Sequence, residues 1–326
     1  GFEIRLWGAT VVGMIVGVII GVTSDFFTGD DRKPVIKVAE SSQNGPAFTI
    51  LSGFAYGLLS SFPSLAGIGL ASLISYKLCE PLGSSYPVMG ISMAAVGMLS
   101  IVGMIISNDA YGPIVDNARG LAEMCGLGDK VLEITDQLDA AGNTAKAITK
   151  GFSIGAAGLT VIALLAAFRE IVYNAVGELI SFDMMDPGVF FGSLVGAAVP
   201  AVFSAMLMMG VNRNSQVMVK EIHRQFNTIE GLREGREGIH PEYDKCIDIA
   251  TIGAIKELIP AGLMAILVTL AVGFIGGVKA VGGYLAGNII SGLLLAMLMS
   301  NAGGLWDNAK KYIEAGHFGG KGSDAH

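Results

Sequence analysis

The sequence predicts an all-α integral membrane protein, a polytopic bundle with about seven transmembrane helices. Of the 326 residues, 52% are hydrophobic and only 15% are charged, whereas soluble domains carry about 25% charged residues. The mean hydropathy is +0.59, and the apolar residues occur in runs of about 20, the length that spans a bilayer. No alternating strand pattern competes with these runs, so the composition and the periodicity agree on helices.

Seven apolar segments are candidate spans, and proline or polar clusters separate them. They cover roughly residues 4–22, 48–74, 87–111, 151–173, 187–211, 253–277 and 282–305. Glycine occurs 46 times, which favours close packing of membrane helices. Gly13, Gly17 and Gly21 lie at four-residue spacing in the first segment and predict a packing seam. We expect residues 1–326 to form a single membrane domain of a larger protein, with long cytoplasmic connections at 112–150 and 212–252.

The distribution of Lys and Arg predicts the orientation of the spans. If the first span runs from the outside to the cytoplasm, the segments 23–47, 112–150, 212–256 and 306–326 are cytoplasmic. They hold 3, 4, 7 and 3 basic residues, which is 17 of the 21 in the chain. This asymmetry follows the positive-inside rule. The first residues do not resemble a signal peptide, and the abrupt start and end lead us to expect a fragment of a longer protein.

Several classes of site are disfavoured by the sequence. Cys79, Cys125 and Cys246 are far apart and lack CxxC spacing, so we expect free thiols. The four histidines show no HExxH or other ligand spacing. No P-loop, GxSxG or dinucleotide-binding motif is found. A net charge of −7 gives no reason to expect nucleic acid as a partner.

Acidic residues form the first of three polar clusters on the predicted cytoplasmic side. Asp109, Asp116 and Glu123 are seven residues apart and lie along one stripe of a helix. Acids in or beside a membrane span are costly and usually face a cavity or a partner. We favour a divalent-metal role for Asp109 and Asp116, and a solvated helix end for Glu123.

The second cluster precedes the fourth span. Asn143, Lys146 and Lys150 lie at i, i+3 and i+7, on one helix face. A positive-inside anchor would explain one of the two lysines. It does not explain why an amide and two lysines align toward the expected interior of the bundle.

The third cluster follows the last span. Asp307, Lys310 and Lys311 lie at i, i+3 and i+4 and share a helix face. A carboxylate can hold a metal ion, and two ammonium groups can neutralise phosphate oxygens. The alternative is an ordinary amphipathic helix end, since cations are favoured near a helix C-terminus.

Motifs around these clusters carry a family resemblance. They are Gly112-Pro-Ile-Val-Asp116-Asn-Ala, Leu138-Asp-Ala-Ala-Gly-Asn143-Thr, Lys150-Gly-Phe, and Ala302-Gly-Gly-Leu-Trp-Asp307-Asn-Ala-Lys310-Lys311. They closely resemble motifs of the membrane-bound, ion-pumping inorganic pyrophosphatases, and the resemblance runs over essentially the whole chain. It implies sixteen membrane helices, of which this chain is similar to the ninth to fifteenth. It further implies a homodimer in the cell (inner) membrane that hydrolyses magnesium pyrophosphate on the cytoplasmic side and pumps protons or sodium.

The same resemblance assigns roles to individual residues. Metal ligands for Mg²⁺ would be Asp116 and Asp307, joined by Asp109 from the acidic stripe. Substrate-binding residues would be Asn143, Lys150, Lys310 and Lys311. The residues that activate the nucleophile would lie in family helices that this chain lacks, so we expect no catalytic residue here and no activity from residues 1–326 alone.

Position 146 discriminates between subclasses of the family. Members that resemble this chain but require potassium carry alanine there and glycine at the position of Thr149. Lys146 with Thr149 therefore implies a potassium-independent proton pump, because an ammonium can take the place and charge of a potassium ion. Arg119 stands where the family usually has glycine, and the sequence does not determine how this bulky charge affects the helix packing beside the acidic stripe.

Two other functions fit the residues without the resemblance. One is a secondary transporter or channel that binds an anionic substrate without hydrolysis, for which we would expect broken helices and a polar site near the membrane midplane. The other is a non-catalytic remnant of a pump.

Overall fold

The computed structural model describes residues 3–177 and 180–326, and within them the chain is helical with no β-strand. The α-helices are α1 (Ile4–Thr28), α2 (Lys33–Ser42), α3 (Pro46–Cys79), α4 (Tyr86–Met98), α5 (Val102–Met124), α6 (Asp129–Val176), α7 (Pro187–Thr228) and α8 (Tyr243–Glu314). Short 3₁₀ turns lie at Glu80–Leu82, Leu99–Ile101 and His317–Gly319. Within the described residues, six helical stretches are long and apolar enough to cross a membrane. The predicted all-α membrane fold is confirmed.

All seven predicted spans lie in helices, but two of them belong to one element. The spans at 253–277 and 282–305 both fall in α8, which has 72 residues. Gly277 interrupts it with φ of 70° and ψ of −168°, a conformation that glycine adopts readily. The third span is divided instead, because the 3₁₀ turn at Leu99–Ile101 separates α4 from α5.

The chain divides into two compact units, and the first comprises the described residues up to 177 together with 293–326. In this unit α1 packs against α3, α4 and α6, and α5 packs along α6. A buried core joins α1, α3, α4, α6 and α8 through side chains such as Ile20, Met98, Leu159 and Met297. A second core joins α2 to the end of α8 through Val35, Val38, Leu305, Ala309 and Ile313.

The predicted glycine seam of α1 is confirmed. Gly13, Gly17 and Gly21 are all buried. A Cβ atom at Gly13 would lie 1.8 Å from the carbonyl oxygen of Ala94 in α4. Atoms at Gly17 and Gly21 would lie 2.6 and 2.9 Å from the ring of Phe152 in α6. The missing side chains therefore allow α1 to approach both neighbours closely.

The second unit comprises residues 180–292 and is built from α7 and most of α8. The chain reverses at Gly277, and the Thr269 hydroxyl donates to the Tyr284 hydroxyl across the turn, at 3.0 Å. Asp186 caps α7 by accepting from the Gly188 amide, and it pairs with Lys279 at 2.6 Å. The hydrogen bond from Lys279, followed by that from Gly188, lowers the pKa of Asp186.

Candidate functional site

The predicted site residues all lie in the first unit, where α5, α6 and the last part of α8 carry them. The helix α6 begins at Asp129, well before its apolar part. This early start places the polar stretch with Asn143, Lys146 and Lys150 on a rigid element that packs along α5. The carboxylates and lysines of the three clusters are therefore held by helices rather than by flexible loops.

Lys146 lies between two acceptor groups. Its Nζ is 3.9 Å from the Asp116 carboxylate of α5 and 3.3 Å from Asn143 Oδ1. The lysine stem crosses Gly112, where a Cβ atom would lie 2.1 Å from Lys146 Cε. Thr149 is buried, and its hydroxyl donates to the Lys146 carbonyl at 3.1 Å. The second cluster is thus connected to Asp116 of the first through this ammonium group.

Asn143 is buried, and each end of its amide contacts one neighbour. Its Nδ2 donates to Asn308 Oδ1 of α8 at 3.1 Å, while its Oδ1 accepts from Lys146. The side chain was predicted to assist at the substrate, and that role stays a prediction. In the structure its immediate role is to connect Lys146 to α8.

Lys311 binds a carboxylate that the sequence analysis did not select. Its ammonium donates to Asp139 Oδ2 of α6. The Asp139 side chain is 1% exposed and that of Lys311 12% exposed. Asp139 Oδ1 has no hydrogen-bond partner among the described residues. An ion pair this well buried is held together because neither charge can recover its hydration.

Arg119 is accommodated by ion pairs rather than disturbing the packing. Its Nε donates to Asp136 of α6 at 2.7 Å, and its Nη1 binds Glu123 one turn along α5. Lys321 also binds Glu123, and Glu314 lies 4.0 Å from the guanidinium. A side chain with three acidic neighbours thus fills the position where the family resemblance implies glycine.

The side chains of the remaining predicted residues are more exposed to solvent. Asp109 and Lys150 are exposed and Asp307 is half-buried. None of these three has a hydrogen-bond or ion-pair partner within 3–177 and 180–326. Lys310 is exposed and pairs with Glu314 at 3.6 Å. Asp116 is 60% exposed, and its ion pair among the described residues is the distant one with Lys146, at 3.9 Å.

The acids of this chain do not form a complete metal site by themselves. Among the described residues, no three His, Cys, Asp or Glu side chains are grouped closely enough to hold a metal ion. The chemistry of the donors nevertheless fits Mg²⁺, which is bound through one or two carboxylates, waters and substrate phosphates. Asp116 and Asp307 offer such carboxylates, and neither has a close cationic partner in the described part of the chain.

The sequence analysis did not select Asp139 or Asn308, although the spacing of Asp139 could have indicated it. Asp139 precedes Asn143 by four residues and therefore shares its helix face. Asn308 lies inside the most specific motif, next to Asp307, but nothing in its spacing indicates that it contacts the end of α1.

The chain matches known proteins along its whole length. A family model described as inorganic H+ pyrophosphatase matches residues 1–326. A putative K(+)-stimulated pyrophosphate-energized sodium pump of Clostridium tetani is 45% identical over 326 residues, 99% of this chain and 47% of that protein. A K(+)-insensitive pyrophosphate-energized proton pump of Methanosarcina mazei is 41% identical over 325 residues, with 99% and 47% covered.

A K(+)-stimulated pyrophosphate-energized sodium pump of Thermotoga maritima is 40% identical over 328 residues, 98% of this chain and 44% of that protein. The chain thus spans about half the length of the relatives it matches. The family model covers every residue of the chain, including the three clusters on α5, α6 and α8. This chain belongs to the inorganic H+ pyrophosphatase family.

Proposed function

We propose that the complete protein containing this chain hydrolyses magnesium pyrophosphate and uses the energy to move protons across a membrane, without a requirement for potassium. The protein would be a homodimer in the cell (inner) membrane, with its hydrolytic site on the cytoplasmic side. Family membership supports the pyrophosphate-energised class, and the position of Lys146 supports the subclass.

The placement of the Lys146 ammonium carries the subclass proposal. It stands between the Asp116 carboxylate, at 3.9 Å, and the amide oxygen of Asn143, at 3.3 Å. A carboxylate and an amide oxygen are the groups that a bare monovalent cation would use in the same place. The tethered ammonium would supply that charge permanently, so added potassium would not increase the rate of hydrolysis.

Overall similarity does not distinguish the subclasses. Relatives named as K(+)-stimulated sodium pumps and as K(+)-insensitive proton pumps match this chain at 45% and 41% identity, respectively. Sequence identity over the whole chain averages over hundreds of positions, most of which affect packing. In our proposal the potassium requirement depends on the charge at a single position. We therefore give position 146 more weight than the difference between these identities.

The chemistry we propose consists mainly of positioning and charge neutralisation, as is usual for phosphoryl transfer. Asp116 and Asp307, with Asp109 near the acidic stripe, would hold Mg²⁺, which would neutralise phosphate charge when bound. Lys150, Lys310 and Lys311 would bind phosphate oxygens through charge-assisted hydrogen bonds. Asn143 would assist at the metal–substrate site.

The first experiment measures Mg²⁺-dependent phosphate release from pyrophosphate in membranes carrying the complete gene product. We expect hydrolysis without potassium in the parent, and potassium-stimulated hydrolysis in Lys146→Ala. Lys130→Ala is the matched control, because Lys130 is an exposed lysine on the same helix. It should leave the potassium response unchanged.

The outcomes separate the parts of the proposal. A parent that is silent until potassium is added would overturn the role of Lys146 and keep the family activity. Silence under both conditions would contradict hydrolysis itself. We also expect residues 1–326 expressed alone to release no phosphate, because they span about half of the related pumps. Robust hydrolysis by this chain alone would contradict that expectation.

A further inference from the structure

Asn308 is a fully buried amide at the junction of three helices. It lies on α8 and is 0% exposed. Its Nδ2 is 2.6 Å from the carbonyl oxygen of Thr28, the last residue of α1. The same nitrogen is 3.2 Å from the carbonyl oxygen of Ala140 and 3.2 Å from the Thr144 hydroxyl, both in α6. The side chain thus satisfies a carbonyl that the end of α1 leaves without a helical partner.

The surrounding carbonyls determine which way this amide points. Backbone carbonyls only accept hydrogen bonds, so the NH₂ group of Asn308 must face Thr28 and Ala140. A flipped amide would place its oxygen against two carbonyl oxygens in a buried site, where unmatched polar groups are costly. Asn308 Oδ1 is therefore left facing Asn143, at 3.1 Å from Nδ2.

The orientation of the Asn308 amide determines the orientation of the Asn143 amide. Because Asn308 presents an oxygen, Asn143 must offer its NH₂ group on that side. Its own oxygen is then directed at Lys146 Nζ, 3.3 Å away. An Asn143 amide turned the other way would place two N–H donors beside an ammonium, which has no acceptor.

We propose that Asn308 is a positioning residue that keeps Asn143 oriented as a cation acceptor. The end of α1 determines the orientation of Asn308, Asn308 determines that of Asn143, and Asn143 together with Asp116 makes the position of the Lys146 ammonium selective for a positive charge. The proposal rests on the proposed function only where it concerns potassium. The orientation itself follows from the hydrogen bonds of the described residues.

The test uses the complete gene product and the Lys146→Ala variant, which leaves the oxygens of Asn143 and Asp116 available to potassium. The readouts are the potassium concentration for half-maximal hydrolysis and the rise in melting temperature on adding potassium chloride. Adding Asn308→Ala should raise the required potassium concentration at least about tenfold, because one hydrogen bond to a charged group usually changes an affinity by about that factor. An unchanged concentration would overturn the proposal.

Two further variants distinguish positioning from simple destabilisation. Asn308→Asp in its protonated form keeps an acceptor oxygen toward Asn143 and one O–H donor toward the Thr28 carbonyl, so it should retain the potassium response that Asn308→Ala loses. Asn301→Ala removes another buried amide of α8, one that donates to the Ser60 hydroxyl at 3.0 Å and does not contact Asn143. It should lower the melting temperature without changing the potassium requirement. Equal changes in Asn301→Ala and Asn308→Ala would contradict the proposal.

A potassium-free measurement keeps the inference testable if Lys146 proves to have another role. The melting temperatures of the parent, Lys146→Ala, Asn308→Ala and the double variant form a cycle. Asn308→Ala should cost less when Lys146 is already absent, because Asn143 then has no ammonium to face. Additive losses would overturn the positioning role, whereas absence of potassium activation in Lys146→Ala would contradict only the proposed function.

Discussion

The ion pair between Lys311 and Asp139 gives the sharpest prediction for stability. Lys311→Met keeps the length of the side chain and removes its charge, so Asp139 would remain buried with neither carboxylate oxygen partnered. Removing one partner of a buried pair typically costs about 3–5 kcal/mol. The Lys311 side chain keeps 12% of its exposure, so we expect a loss near the lower end, about 3 kcal/mol, or roughly a hundredfold in the folding equilibrium.

The assay is thermal unfolding of the complete gene product in detergent, with two companion variants. Asp139→Asn combined with Lys311→Met removes the stranded charge, so the double variant should be more stable than Lys311→Met alone. Lys310→Met is the matched control on the next position of α8, where the lysine side chain is 55% exposed and 3.6 Å from Glu314. Exposed pairs contribute about 0–1 kcal/mol. Equal losses for Lys310→Met and Lys311→Met, or no recovery in the double variant, would refute the reasoning.

Two further predictions concern packing and catalysis. Gly13→Ala should destabilise the contact between α1 and α4 by roughly 2 kcal/mol or more, since its Cβ atom would lie 1.8 Å from a backbone oxygen of Ala94. Gly69→Ala, with nothing within 4 Å of the added atom, should leave the melting temperature unchanged or raised. Asp307→Asn should abolish phosphate release from pyrophosphate without lowering the melting temperature, because the carboxylate has no partner among the described residues. Retained hydrolysis would contradict its role as a metal ligand.

Hydropathy predicted where the helices lie but not where they end. The span predicted at 151–173 is the apolar part of α6, which begins 22 residues earlier at Asp129. The stretch from Asp129 to Lys150 is polar, and it is helical because it packs along α5. A window of apolar residues cannot detect such a helix, since its stability comes from tertiary contacts. The division at Gly277, by contrast, was predicted correctly, because this residue interrupts α8 with a non-helical conformation.

The sequence predicted which residues form the site but not which of them contact one another. Helical spacing correctly indicates that Asn143 and Lys146 share a face, and their side chains are 3.3 Å apart. Spacing contains no information about which helix lies opposite. The contacts from Lys311 to Asp139 and from Asn308 to Thr28 join residues 172 and 280 positions apart. These pairings depend on the packing of α8 against α6 and α1, which no local pattern determines.

The carboxylates of the site fall into two classes once these pairings are known. Among the described residues, those with a close lysine or arginine partner are Glu123, Asp136 and Asp139. Asp109, Asp116 and Asp307 have no such partner there. The second class is the set predicted to bind the metal, Asp116 and Asp307 by the family resemblance and Asp109 by the acidic stripe. A carboxylate already held by a lysine or arginine would have to release that partner before binding a cation, whereas these three would not.

The lysines also differ in whether they have a close partner. This difference affects the order in which they would bind substrate. Lys150 has no partner among the described residues, and Lys310 has only a distant pair with Glu314. Under the proposed function, either could bind an incoming phosphate without first breaking a strong contact. Lys311 would have to exchange Asp139 for a phosphate oxygen, and this exchange would leave Asp139 unpaired in a buried position. We therefore expect Lys150 and Lys310 to contribute to initial substrate binding. Lys311 should engage fully only when the bound charge is large enough to compete with a buried carboxylate.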